Sequence, residues 1–452
     1  MHNPTAHKAV SVPVHKALPA LIRDPLGALV AFGNQADGAV VRLNLGSFRP
    51  FLVTNPAHVQ RILRDNAPNY VRDGKGMLWG SIKRLFGEGI MSEGQVWQAS
   101  RKTLQPMFTA RRVDALVDAM AAEVAAGVDD VPAETVVDIG AELSRIVCRT
   151  IMRTLFADKV SVPDALRIVA AQNTIATAIL VRLLVPFVPN AVPMPGDRAF
   201  RDAVRQIDDV LLPVVRRART APDGGDDIIS TLGRATAADG GDLDDRQVRN
   251  DTVAMFATTT ETTFGVLTFL WPILDAHPDV AERLYTEVDD VVGAGPVRRE
   301  HLARLTYTRM VLDELLRLYP VGWLIPRVAA GEDVVDGVRI PTGADILISP
   351  YITQRMDAFW ERPAEFDPDR FAPDRAERRH RYAHYPFGGG PHQCLGQYLF
   401  YVEAQLIVAA VLGRFRFRLR SKGLPATQVA ASLRPKDKVE LTLTPRDHAA
   451  AR

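Results

Sequence analysis

Phe387-Gly388-Gly389-Gly390-Pro391-His392-Gln393-Cys394-Leu395-Gly396 decides how the rest of this chain is read. Three consecutive glycines and a proline cannot continue a helix or a strand, so the backbone must loop tightly here. Gln397 to Leu412 is apolar and glycine-free, which predicts a long buried helix starting near Leu395. Cys394 thereby falls at a helix N-terminus, where partial positive charge and free N–H groups favour a thiolate over a thiol. A core cysteine is the ordinary alternative for any single Cys, and the loop around Cys394 argues against it.

Such a thiolate, met by backbone N–H groups from a glycine-rich turn, suits the axial position of a haem iron. There it pushes electron density towards bound dioxygen and favours O–O cleavage. The order F-x-x-G-x-H-x-C-x-G resembles the haem-binding loop of the cytochrome P450 family. The resemblance implies haem b (iron protoporphyrin IX), with Cys394 as iron ligand and Phe387, Gly388 and Gly396 shaping its loop. His392 stands at a propionate-binding position where many members carry Arg. Neutral imidazole donates only one hydrogen bond, whereas an Arg there would carry a fixed positive charge.

Other stretches carry further family motifs. Trp97 and Arg101 stand four apart on one helix face. Alone they are an amphipathic edge; they resemble the W-x-x-x-R whose side chains reach a propionate. Leu243 to Leu274 is the longest helical candidate, interrupted by Thr258-Thr259-Thr260-Glu261-Thr262-Thr263, a poor helix-forming run. A Thr262 hydroxyl bonded back to the Thr258 carbonyl can bend or open the helix. The run resembles the oxygen-activation segment A-G-x-E-T-T, placing Glu261 and Thr262 on its acid–alcohol pair. Thr258-Thr259 replaces the usual Ala-Gly, and Thr258 would face the iron and take up substrate space.

Glu314 and Arg317 are three apart on another helix. On its own E-x-x-R is weak, because exposed pairs of this kind are common and worth little. In the family it is joined by an arginine, Arg370 here, in a buried network beneath the haem loop. Val321-Gly322-Trp323-Leu324-Ile325-Pro326-Arg327 matches the pocket-lining turn, which puts Arg327 on a propionate with Arg101 and His392.

The chain has 452 residues, 47% of them hydrophobic, and a formal net charge of +2 that gives no reason to expect nucleic acid. Two cysteines, Cys148 and Cys394, exclude a disulfide framework and are compatible with a reducing cytosol. Cys148 lies in an apolar helical stretch and reads as core. No secretion signal opens the sequence; Met1 to Lys16 is polar. Residues 1–20 are therefore expected to be a mobile arm and 21–452 a single domain. Ala17 to Phe32 is interrupted by Arg23, Asp24 and Pro25 and cannot span a bilayer. The expectation is a cytoplasmic monomer without a transmembrane anchor.

Val40 to Leu45 and Pro50 to Val53 read as a hairpin, followed by a short helix from Pro56 to Arg64. The glycine-rich stretch from Asn66 to Gly94 carries Met77 and Trp79, which either cover a pocket or tuck against the core. Ile175 to Val192 is broken by Arg182, Pro186 and Pro189 and reads as a helix with an apolar lid, a membrane-surface contact being the alternative. The expected pocket comprises Met77, Trp79, Ile175, Ile179, Thr258, Val321, Gly322 and Leu324. The run Arg375 to Arg381 reads as a solvated face or a docking patch. Phe415 to Leu419 and Val439 to Leu443 alternate and read as closing strands.

These features predict a mainly α fold with a smaller β-rich region, the haem lying between the long central helix and the cysteine-loop helix. The implied activity is monooxygenation of a small apolar molecule, terpenoid, fatty-acid-like or polyketide-like, with Glu261, Thr262 and Thr258 at the oxygen site. No flavin or ferredoxin sequence follows Arg452, so electrons are expected from a ferredoxin and its NAD(P)H-dependent reductase. A peroxide-driven or isomerising haem-thiolate enzyme, and a non-catalytic haem sensor or carrier, are the competing classes.

Overall fold

The computed structural model describes residues 8–72, 86–178, 191–220, 224–236, 243–429 and 432–446, together with Trp79, Lys83, Arg182, Val188 and Gly241. The chain begins with strand β1 (Val10–Val12) and helices α1 (Val14–Arg23) and α2 (Pro25–Gln35). Strands β2 (Val41–Leu43) and β3 (Phe51–Val53) form the expected hairpin, helix α3 (Pro56–Gln60) follows, and β4 (Tyr70–Val71) comes next. The helical part then runs through α4 (Gly94–Leu104), α5 (Ala110–Asp114) and α6 (Val117–Asp129). After β5 (Val136–Asp138) come α7 (Ile139–Thr154), α8 (Val162–Ala178), α9 (Asp197–Thr220), α10 (Ile228–Gly233) and α11 (Asp245–Ala276). Helices α12 (Pro278–Val291), α13 (Arg299–Leu302) and α14 (Thr306–Leu318) lead to strands β6 (Ile325–Ala329), β7 (Asp333–Val335), β8 (Val338–Ile340) and β9 (Asp345–Ile348). The last elements are α15 (Pro350–Thr353), α16 (Pro373–Ala376), α17 (Gln397–Arg414), β10 (Phe415–Leu419), β11 (Thr427–Val429), β12 (Leu433–Pro435) and β13 (Glu440–Pro445).

Among the described residues, the largest sheet has the order β1-β2-β3-β9-β6-β4. Its central strand β3 is buried on both faces: Phe51 and Val53 join one apolar cluster and Leu52 another, beneath α2. The N-terminal segment departs from the expected mobile arm. Val10 to Val12 pairs in parallel with Val41 to Leu43, Val12 is buried, and Asn44 Nδ2 donates to Ser11 Oγ at 2.8 Å. A short valine-bearing strand can use the free edge of β2, and polarity of its neighbours did not reveal that partner.

Helix α11 runs through the centre, packed on α7, α9, α10 and α17. Asp244 caps its start by accepting from the Gln247 N–H at 2.6 Å. Among the described helices, α11 is the one long and apolar enough to cross a membrane, and 78% of its apolar window is buried inside the protein. The threonine run does not open it. Thr258, Thr259 and Thr260 donate to the carbonyls of Ala254, Met255 and Phe256 at 2.8, 2.7 and 2.8 Å, which satisfies hydroxyls that would otherwise be orphaned. The hydroxyls share carbonyls with the backbone ladder, and the helix stays continuous from Asp245 to Ala276.

Candidate active site

The cysteine loop is fixed by backbone bonds and two close approaches. Cys394 N–H donates to Phe387 O at 3.0 Å, and Gly388 N–H to Tyr385 O at 2.9 Å. Gly390 has φ +67° and lies so close to Leu63 that a Cβ would stand 1.7 Å from its carbonyl oxygen. Leu63 belongs to a π-helical turn, Arg61–Asp65, that continues α3; the sequence predicted an ordinary helix there. Phe387 packs against the rings of Phe400 and Tyr401 on α17, 5.6 and 5.4 Å between centroids. That helix starts at Gln397, two residues later than expected, because Gly396 caps it and accepts from Phe400 N–H at 2.8 Å.

Cys394 is accessible, yet the protein around it is dense enough that burial pushes its thiol up. Both facts describe a sulfur facing a deep recess. The Gly396 N–H and Arg101 pull the other way without prevailing, which corrects the expectation that the helix terminus alone favours a thiolate. A metal cation at the sulfur reverses that balance.

Beneath the loop, Glu314 and Arg317 are both fully buried. Arg317 makes a bidentate pair with Glu314 at 2.6 and 2.8 Å and donates to the carbonyls of Gln354, Pro363 and Glu365. Arg370 approaches the same carboxylate at 3.4 Å and donates to Arg362 O at 2.7 Å. The pair is therefore a core network, as the motif implied. Gln354, which the sequence did not single out, carries the connection onward. Its amide donates to Leu316 O and Arg317 O, and its oxygen accepts from Tyr385 N–H at 3.0 Å, two residues before Phe387. Arg379, expected on a solvated face, lies over the Trp360 ring at 4.1 Å and donates to Arg370 O.

A second charged cluster lies on the other flank of the loop. Trp97 packs on His392 at 4.2 Å, and Arg101 donates to Gln393 O at 2.7 Å, so both reach the loop from α4. Arg327 is only 4% exposed and donates to Pro326 O at 2.8 Å. Arg72, absent from the expected set, is beside them; its Nε is buried without a partner. Burial and mutual repulsion push Arg327 down to about 9, and burial, opposed by Glu93, pushes Arg72 down to about 10. Glu93 is the carboxylate that offsets them. Against the cost of burial, hydrogen bonds from His392 and the Arg72 N–H hold it down to about 2.

His392 has a partner that the sequence did not pair it with, Glu93. Burial pushes the imidazole down to about 4, so it is neutral, and a carboxylate can only accept. Its single N–H therefore lies on Nε2, donating to Glu93 Oε1 at 3.1 Å, and leaves a buried Nδ1 without a partner.

On α11 every residue from Val248 to Thr260 is buried except Thr258, which is exposed in mid-helix and so faces an internal space. Thr262 Oγ1 donates to Thr258 O at 2.8 Å, as expected. Glu261 accepts from Ser432 Oγ at 2.7 Å, with Arg434 at 4.0 Å. Gly322 is exposed, and Val321 and Leu324 are half-buried. Two expected pocket residues are elsewhere. Ile175 is 1% exposed in the helical core, because the inward face of α8 meets its neighbouring helices there. Trp79 is buried with its Nε1 donating to Pro326 O at 3.3 Å and Arg72 over its ring at 5.7 Å, so it belongs to the cationic cluster. Met77 and Ile179 lie outside the described residues.

The residues present fit a haem: a cysteine in a recess, a loop with no room for side chains at Gly390, and buried guanidinium groups outnumbering their carboxylate. These features define a haem-thiolate oxygenase. The sequence profile of the Cytochrome P450 family matches residues 22–443, and the chain belongs to that family as a bacterial-type monooxygenase with a haem-iron cofactor. It uses dioxygen, a substrate and redox partners.

The chain is 28% identical over 407 residues to pentalenene oxygenase of Streptomyces avermitilis, covering 90% of each. It is 32% identical over 418 residues to cyclooctat-9-en-7-ol 5-monooxygenase of Streptomyces melanosporofaciens, covering 90% of this chain and 88% of that one. The crystal structure of the cytochrome P450DA heme domain matches with a TM-score of 0.84 over 98% of both chains, at 21% identity, and so shares the fold.

Proposed function

We propose that this enzyme inserts one oxygen atom of dioxygen into a C–H or C=C of an apolar terpenoid-like skeleton, drawing electrons from a ferredoxin and its NAD(P)H-dependent reductase. It acts as a cytoplasmic, single-domain monomer with haem b. Thr258 carries the reading: an exposed side chain in a buried stretch of α11, one turn from a back-bonded Thr262. Relatives named for pentalenene and cyclooctat-9-en-7-ol support a terpenoid substrate.

Haem, when bound, supplies the oxidising power and the site for dioxygen. Cys394 Sγ holds the iron. Arg72, Arg101 and Arg327 take the propionates, which relieves the repulsion among buried cations. Thr262 Oγ1 donates its one hydrogen bond to Thr258 O and keeps lone pairs to accept from a water, so it can hold in place the water through which a proton from the Glu261 side is delivered. Val321, Gly322, Leu324 and Thr258 exclude water around the substrate.

The test is turnover of a sesquiterpene hydrocarbon with a surrogate ferredoxin pair, in the parent and in Thr262→Ala. Positioned proton delivery is worth about a hundredfold to ten-thousandfold in rate. The variant should bind haem and hydrocarbon normally but turn NADPH into hydrogen peroxide. Thr258→Ala with Thr262→Ala should uncouple further, since the two hydroxyls are one turn apart. Product formed without any electron donor would establish the peroxide-driven or isomerising class instead. A polar amino acid binding more tightly than the hydrocarbon would reject the substrate class.

A further inference from the structure

We propose that Ser432 and Arg434, on the β11–β12 hairpin, are positioning residues that hold Glu261 and join it mechanically to helix α8. The inference rests on the role given above to Glu261, and no sequence motif pointed to either residue.

Three elements converge on this hairpin. Ser432 Oγ donates to Glu261 Oε1 at 2.7 Å, which fixes one carboxylate oxygen. Arg434 lies 4.0 Å from the same oxygen, close enough for attraction but short of a hydrogen bond. Its guanidinium is committed elsewhere: Nη1 donates to Asn173 Oδ1 on α8, and Nε to Gln428 Oε1 on β11 at 3.2 Å. The hairpin is also tied to the pocket turn, where Leu433 N–H donates to Val321 O at 3.1 Å. Glu261 and Arg434 are both mostly buried, so their attraction is weakly screened.

This geometry gives the carboxylate two states to choose between. In the structure described, Ser432 holds it and Arg434 is anchored on α8. A shift of α8 that frees Asn173 lets the guanidinium close on Glu261 and draw the carboxylate from Ser432. The position of α8 thus decides whether the acid is available. Asn173 lies one residue outside the buried stripe of α8 and reaches the hairpin from there.

The experiment uses the haem-loaded protein with a sesquiterpene hydrocarbon as probe, comparing Ser432→Ala, Arg434→Ala, Arg434→Lys, Asn173→Ala and Glu261→Gln. Two readouts are taken: hydrogen peroxide released per NADPH, and hydrogen–deuterium exchange of residues 427–435 and 170–178. Arg434→Ala should raise exchange in both segments severalfold and raise the peroxide share severalfold, with Arg434→Lys restoring most of each. Ser432→Ala should raise peroxide with little change in exchange at α8. Unchanged exchange at α8 in both Arg434→Ala and Asn173→Ala overturns the mechanical link. Peroxide unchanged in Ser432→Ala and Arg434→Ala, while Glu261→Gln uncouples, overturns the positioning role. Normal coupling in Glu261→Gln instead removes the acid role of Glu261, and the exchange data still decide the link.

Discussion

Two buried charged clusters flank the cysteine loop, and they are built on opposite principles. Around Arg317, the bidentate Glu314 and backbone carbonyls use the guanidinium fully, and Arg370 adds a second cation to the same carboxylate. In the other cluster Arg327 and Arg72 share one carboxylate, Glu93, which is also committed to His392. In the first cluster all five Arg317 N–H donors are used within the protein, and only Arg370 Nε is left without a hydrogen-bond partner, so the cluster holds the fold. The second carries excess positive charge in a place where charge is expensive, which makes sense if an anionic group completes it. The difference separates scaffold from site without reference to any motif.

Breaking the first cluster should have the largest effect. Arg317→Met leaves the buried Glu314 with only Arg370 at 3.4 Å and the Asp367 N–H in place of its bidentate partner, at a cost of up to about 3–5 kcal/mol, a large share of an ordinary folding free energy. Little soluble protein is expected, with or without haem. A well-folded, fully loaded Arg317→Met holoprotein would show that the network is dispensable.

Arg327→Met should give the reverse pattern. Removing a cation that is repelled by Arg72 leaves the apoprotein at least as stable in urea. The holoprotein loses a charge-assisted hydrogen bond worth about 1.5–3 kcal/mol, so haem should transfer to apomyoglobin about tenfold to a hundredfold faster. An apoprotein destabilised as much as Arg317→Met would erase the distinction between the clusters.

Glu403 on α17 sharpens the comparison, since it is a buried acid with neither solution. Its Oε1 has no partner, and burial, opposed by the Thr263 hydroxyl, pushes it up to about 8. It therefore stays protonated in the fold at neutral pH, whereas in the unfolded chain it titrates in the ordinary carboxylate range. Between that range and pH 8 the folded state holds the extra proton, so stability falls as pH rises, by at most about 1.4 kcal/mol per unit. Glu403→Gln should flatten this slope in urea denaturation at pH 6 and pH 8. An unchanged slope would mean that Glu403 is ionised in the fold.

What could be read from the sequence was whatever a short motif carries locally. The cysteine loop, the Glu314–Arg317 spacing and the Thr262 bond to Thr258 each depend on residues a few positions apart. Arg72, Gln354, Ser432 and Arg434 were missed because their roles arise from pairings far apart in sequence, such as Arg72 with Arg327 or Gln354 with Tyr385. Trp79 and Ile175 were assigned by apolarity, which marks burial but not which space a side chain faces. The parallel pairing of β1 was hidden in a stretch whose surroundings are polar. His392 was legible as a position but not as a partner of Glu93, because its tautomer is set by a residue outside the loop.

Carbon monoxide binding to the reduced protein tests most directly whether Cys394 is the thiolate that the whole arrangement serves. The parent should show the strongly red-shifted Soret band of a thiolate-ligated haem, and Cys148→Ser, altering a buried core thiol, should keep it. Cys394→Ser should lose that band. A red-shifted band that survives in Cys394→Ser would contradict the assignment of the loop.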